Sequence, residues 1–189
     1  MRTNIQEIIK VLTKAGLLKE VKRTGWILKG IKNPESVAEH TWRMGLIIMF
    51  LANNNKKLDK RKLLEMNTIH DLGEIGIGDV KWESGRRIIG SQNIKHKDEI
   101  KTLEKLFKNI PHKNRYLNLL KEFNDQKTPE AKFLKLVDKL EMVLQAYDYQ
   151  KKGYPREVFE EFWENAKKYL EKSSLEPFFR ELEKLAGRS

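Results

Sequence analysis

Apolar residues recur at helical spacing along nearly the whole chain, and no fixed-period repeat, low-complexity tract or Pro/Gly-rich linker divides it. That periodicity leaves an all-α bundle as the expected fold. A chain of 189 residues can bury roughly 70% of the surface its unfolded form exposes, so one core over residues 1–189 is sufficient. The spacing predicts a first helix through Ile5, Ile8, Ile9 and Leu12 that stops near Gly16, followed by an irregular segment over residues 17–33. Ser36 and Glu39 have capping-box spacing, which starts the next helix at Ser36 and carries it to about Ala52. Asp59 is the expected N-cap of a helix through Leu63, Met66 and His70, after which Gly73, Gly76 and Gly78 loosen the backbone. Residues 79–94 read as a loop or lid.

Further on, Ile100, Leu103, Leu106 and Phe107 mark a fourth helix, and Pro111 begins a fifth with Tyr116, Leu120 and Phe123. Thr128 and Pro129 form an N-cap and N1 pair that opens a long helix to about Tyr149, with Phe133, Val137, Leu140 and Leu144 on its inner face. Two helices over residues 155–187 complete the chain, one through Val158, Phe159, Phe162, Ala166 and Leu170, the other through Phe178, Leu182 and Leu185. The second is expected to be capped by Ser173 and Glu176.

Composition excludes several classes. The absence of cysteine rules out a disulfide framework and a thiolate zinc site, and MRTNIQEIIK lacks the charged-then-apolar order of a signal peptide, so a cytoplasmic location is expected. The longest apolar run, Met44 to Ala52, is about half of the ~20 residues a bilayer crossing needs, so no membrane association is expected. The net charge of +11 favours anionic partners, although lysines scattered among glutamates on helix surfaces chiefly serve solubility.

Four side chains carry the chemistry. His40 shares a helix face with Met44, Ile47 and Leu51; His70 and Asp71 are adjacent near a helix end; Asp138 is flanked one turn away by Leu134 and Met142. A desolvated carboxylate needs a compensating cation or donor, and two imidazoles with two carboxylates offer a borderline divalent ion mixed ligands with open positions. Such a donor set suits metal-assisted hydrolysis. His96 and His112 lie among lysines and are assigned to solvated surface, which leaves a one-metal site. Glu74, four residues after His70, is the expected general acid/base.

These residues carry a resemblance. His40, His70-Asp71 and Asp138 resemble the H…HD…D signature of the HD-domain metal-dependent phosphohydrolases. The stretches RTGWILKGIKNPESVAEHTWRM, HDLGEIGIGD and EAKFLKLVDKLEMVLQAYDY are similar to its small deoxynucleoside 5'-monophosphatase branch, over about residues 17–150. The resemblance implies a helical phosphohydrolase, usually a homodimer, using manganese, cobalt or a similar ion. It makes His40, His70, Asp71 and Asp138 the metal ligands and Glu74 the catalytic carboxylate. It adds Asp79 as a sugar-hydroxyl contact and Trp26 as a wall against a ribose 2'-hydroxyl. In the bacterial members an arginine directly precedes this tryptophan; here Gly25 does, and the nearest arginine is Arg23. Arg23 is therefore the candidate phosphate contact, with Lys81, Arg86 and Arg87 as alternatives.

The expected reaction is removal of the 5'-phosphate from 2'-deoxyribonucleoside monophosphates. One alternative keeps the site and changes the substrate to nucleoside di- or triphosphates or another phosphorylated metabolite. An alternative of another class is a nucleotide- or RNA-binding module resting on charge and tryptophans, although nucleic acid is not the expected partner.

Overall fold

Helices account for every regular element of the computed structural model, which describes residues 4–53, 55–79 and 92–188. They are α1 (Ile5–Ala15), α2 (Thr24–Leu28), α3 (Val37–Leu51), α4 (Lys60–Ile69), α5 (Gln92–Leu106), α6 (Lys113–Asp125), α7 (Pro129–Lys151), α8 (Glu160–Leu170) and α9 (Glu176–Leu185), with short 3-10 turns at Gly16–Lys19, Leu72–Ile75 and Arg156–Phe159. α7 is the central rod and packs against α3, α4, α6 and α8. Its inner face buries Phe133, Leu134, Val137, Leu140 and Val143, because apolar side chains three and four apart share one side of a helix. A second apolar cluster, around Leu72, Leu103, Phe107 and Leu120, joins α5 and α6 to the turn after α4. No helix among the described residues is long and apolar enough to cross a membrane.

The local stop and start signals hold where the chain obeys them. The Ser36 hydroxyl accepts from the Glu39 amide while the Glu39 carboxylate accepts from the Ser36 amide at 2.6 Å. Asp59 Oδ1 accepts from the Lys62 amide, and Thr128 Oγ1 from the Ala131 amide. Residues 17–33 hold the first 3-10 turn and α2, and one isolated bridge pairs Lys22 with Ser36. That bridge lays Arg23 beside the start of α3, with the Arg23 amide donating to the Glu35 carbonyl at 3.0 Å.

Three expectations are corrected. α5 begins at Gln92, inside the segment expected to be a loop up to residue 94; residues 80–91, with Lys81, Trp82, Arg86 and Arg87, lie outside the described residues. α6 begins at Lys113, because His112 adopts a left-handed φ of 58° that interrupts the helix after Pro111. Ser173 does not cap α9: its hydroxyl closes the end of α8 on the Leu170 carbonyl, and the Glu176 carboxylate instead accepts from the Lys172 amide. The first helix runs over Ile5–Ala15 as expected; Val11 and Ala15 pack against the second apolar cluster, while Ile5, Ile9 and Leu12 remain 57–71% exposed.

Candidate metal centre

The centre is assembled where α3 and the end of α4 meet α7. His40 sits in the first turn of α3, where the capping box at Ser36 sets the direction of entry; it is fully buried. His70 caps the C-terminus of α4, and Asp71 follows in the turn before Leu72–Ile75. Asp138 projects from the middle of α7. His40 Nε2 stands 3.9 Å from Asp71 Oδ2 and 3.5 Å from Asp138 Oδ1, and His70 Nε2 stands 3.1 Å from the same Asp71 oxygen. One donor atom from each of His40, His70 and Asp71 lies within 4.8 Å of the others. Asp138 adjoins this group through His40, while its other oxygen is held by Lys135 at 2.9 Å.

Both imidazole Nε2 atoms are buried and make no hydrogen bond. Buried polar atoms are ordinarily satisfied, so two orphaned nitrogens aimed at shared carboxylates fit a cation as the missing partner. Both rings are fixed from behind. His70 Nδ1 lies 2.7 Å from the Asn67 carbonyl, and its ring packs edge-on against Phe123; His40 Nδ1 pairs closely with Glu141. With protein groups alone in the site, burial and the Arg23 cation oppose protonation of His40, but Glu141 and Asp138 outweigh them and push it up to about 10. Burial tends to raise Asp71 and Asp138, yet their neighbours hold both below the usual carboxylate range: the adjoining His70 ring and the Arg23 guanidinium for Asp71, Lys135 and Lys139 for Asp138.

Above the cluster opens a cavity of about 390 Å³ whose wall includes Arg23, Trp26, Asp71, Glu74, Asp138 and Lys139. Glu74, 1% exposed, directs Oε1 to Lys95 Nζ at 2.7 Å and leaves Oε2 without a hydrogen-bond partner. Burial and the charges of Asp71 and Asp79 push it well above the ordinary range, with Lys95 and Arg23 in opposition. Arg23 lies 3.6 Å from Asp71 and 4.0 Å from Asp138. Trp26 is 1% exposed, stacks at 4.3 Å on Phe162, and donates Nε1–H to Glu35 at 2.8 Å. Asp79 lines the cavity too, but one of its carboxylate oxygens accepts from the Thr24 amide at 2.6 Å and fastens the Arg23 segment.

His96 departs from its expected place. It is half-buried and lines the cavity, because α5 turns Lys95, His96 and Glu99 toward Glu74; the lysine beside it that suggested solvent is itself directed inward. Burial, with Lys95 and Lys135, pushes its pKa down. His112 is exposed, as expected.

Spacing from the four primary residues missed Glu141, Arg43, Lys95, Lys135 and Lys139. Four of the five carry a signal: Lys135 and Glu141 lie three positions either side of Asp138, Lys139 directly follows it, and Arg43 lies three after His40. Lys139 is lowered to about 8, because burial with the Lys135 and Arg23 charges outweighs Asp138.

A helical bundle with an imidazole–carboxylate cluster at the floor of a cation-lined cavity belongs to the metal-dependent class of helical proteins. The chain is a member of the HD domain family, whose model matches residues 15–177. It is 34% identical to the 5'-deoxynucleotidase HDDC2 of Xenopus laevis, covering 77% of this chain and 70% of that one. It is 35% identical to the HDDC2 5'-deoxynucleotidase of Dictyostelium discoideum, covering 82% of each chain. A solved conserved hypothetical protein from Pyrococcus furiosus superposes with a TM-score of 0.75 at 34% identity, covering 96% of this chain and 99% of that one.

Proposed function

We propose that this chain is a divalent-metal-dependent phosphohydrolase that removes the 5'-phosphate from 2'-deoxyribonucleoside monophosphates, acting as one HD domain over residues 1–189. The observation that carries the reading is the pair of orphaned buried Nε2 atoms on His40 and His70, converging with Asp71 at the floor of a cavity lined by Arg23, Lys135 and Lys139. The 5'-deoxynucleotidase names of the relatives point to the same chemistry.

His40, His70, Asp71 and Asp138 would hold one ion of the manganese or cobalt type. When bound, that ion supplies Lewis-acid polarisation of the phosphate and a water made nucleophilic near neutral pH. The remaining work falls to the chain. Arg23 offers a two-pronged donor to phosphate oxygens, and Lys135 and Lys139 add charge as the phosphate enters. Glu74 faces the cavity with one oxygen anchored by Lys95 and the other without a partner, so it can take a proton from the attacking water or deliver one to the departing 5'-oxygen. Water adds to phosphorus, the P–O5' bond breaks, and the proton ends on the nucleoside oxygen. Trp26 is held rigid by Glu35 and Phe162, as a wall that excludes a 2'-hydroxyl must be, and Asp79 stands within the same cavity to meet the sugar.

The zero-cysteine composition accords with a cytoplasmic enzyme. A homodimer is supported by the uncovered apolar face of α1 together with Leu17 and Trp42, both at least half exposed. The deciding experiment measures phosphate and pyrophosphate release from deoxy- and ribonucleoside mono-, di- and triphosphates with manganese or cobalt. Orthophosphate from deoxynucleoside monophosphates, lost in Glu74→Ala with metal still bound, is the expected result; pyrophosphate from triphosphates would reassign the substrate, and a fully active Glu74→Ala would remove Glu74 from the mechanism.

A further inference from the structure

We propose that Glu141, itself held by Arg43, is the positioning residue of His40: with an ion in the cluster, it keeps the proton on Nδ1 of the imidazole and turns the Nε2 lone pair toward the ion. The inference rests on reading that cluster as a metal centre. Glu141 lies 101 positions from His40 in the chain, on the turn of α7 that follows Asp138, so one helix presents a cluster carboxylate and the carboxylate behind a cluster histidine.

The two oxygens of Glu141 are divided between two tasks. Oε2 meets His40 Nδ1, and Oε1 accepts from Arg43 Nε at 2.8 Å and Nη2 at 2.6 Å. Glu141 is fully buried, and a carboxylate so placed is costly unless paired and hydrogen-bonded. Arg43 supplies that compensation and is oriented in turn by Asp148 at 2.7 Å and by Gln145. Surface placement would have satisfied Arg43 and Glu141 as an ion pair without burial; the His40 contact is what the buried position adds.

A comparison within the site sharpens the point. His70 is backed by a neutral carbonyl, that of Asn67, whereas His40 is backed by an anion. A carboxylate behind a ligating imidazole fixes its orientation and raises its basicity as a ligand, so His40 should be the stronger of the two. Glu35, His40 and Glu141 also bring three donor atoms within 4.8 Å of one another, but the Arg43 guanidinium already supplies the cation there, 2.6 Å from Glu141 and 3.8 Å from Glu35. This side of His40 is therefore support, and the Nε2 side is the ligand face.

The test compares wild type, Glu141→Gln, Glu141→Ala and His40→Ala as full chains. Manganese affinity is read by calorimetry, and the ligand field by visible absorption of the cobalt-loaded protein. Glu141→Ala is expected to weaken manganese binding by about 10–100-fold and to change the cobalt bands. Glu141→Gln keeps an acceptor for Nδ1–H and should restore part of the affinity, a pattern that a merely space-filling role would not produce. A folded Glu141→Ala with wild-type affinity and cobalt spectrum overturns the proposal; if that variant does not fold, an unchanged affinity and spectrum in Glu141→Gln does so. His40→Ala separates the two levels of inference. If it binds manganese as wild type does, the metal-centre reading fails and the positioning role with it. If it loses the metal while the Glu141 variants do not, the positioning role alone falls.

Discussion

Lys95 Nζ stands 2.7 Å from Glu74 Oε1, so the first described turns of α5 grip the carboxylate proposed as acid/base. The same ammonium reaches Glu99 at 3.3 Å, which ties the grip into the helix itself. Lys95→Met is expected to leave Glu74 free to rotate away from the cavity. Misplacement of a reacting group by about 1 Å can cost on the order of 10²-fold, so kcat should fall toward that figure while manganese content stays at wild-type level. Steady-state kinetics with metal analysis on the same preparation checks this, and an unchanged kcat would dissociate Lys95 from Glu74 function.

Gly73 sits where the turn after α4 presses on α5. A Cβ at this position would lie 2.7 Å from Glu99 Cβ and 2.8 Å from Glu99 Cα, the latter a backbone atom that cannot swing aside. Gly73→Ala must push the two segments apart, at a cost of about 1–3 kcal/mol by analogy with overpacked cores. Urea unfolding should show a lower midpoint at unchanged slope. The glycine is needed for close approach, a reason different from backbone looseness.

Glu35 should make metal-free stability depend on pH. Burial first, and then the neighbouring Glu141 charge, raise it from 4.5 to about 7. The folded state therefore binds the proton more tightly than the unfolded state, so the group's contribution is full below about pH 4.5 and is lost as pH rises through about 7. The expected loss is a few kcal/mol at most. Glu35→Gln, whose amide oxygen can still accept from Trp26 Nε1, should flatten the dependence across that window in chelator-treated protein. Denaturation midpoints measured across the window would contradict this if the two slopes matched.

The exposed stripe on α1 leads to an oligomer prediction. Ile9 is 57% and Leu12 64% exposed. If a second copy covers this face, Ile9→Glu with Leu12→Glu should yield a monomer of unchanged helicity. Sedimentation analysis and circular dichroism check the two parts, and a dimer that survives both changes must use another surface.

Much of the molecule was legible from spacing because the forces involved are local. The capping box at Ser36, the Asp59 and Thr128 caps, and the apolar faces of α3 and α7 depend on side chains within a turn or two of each other, so they follow from the order of residues alone. The inward direction of His40 came from the same periodicity. Errors arose where a local signal met a competing partner: Ser173 chose the end of α8, and His96 followed Lys95 into the cavity.

What one strand of letters could not specify is which distant groups would meet. Glu141 reaches His40 across 101 positions, and Lys95 reaches Glu74 across 21, because α7 and α5 pack at angles and depths set by the whole core. Periodicity assigns each side chain a face; only the packing of those faces decides which charges share a low-dielectric interior, and so which side chains become ligands, which hold them in place, and which merely stay dry.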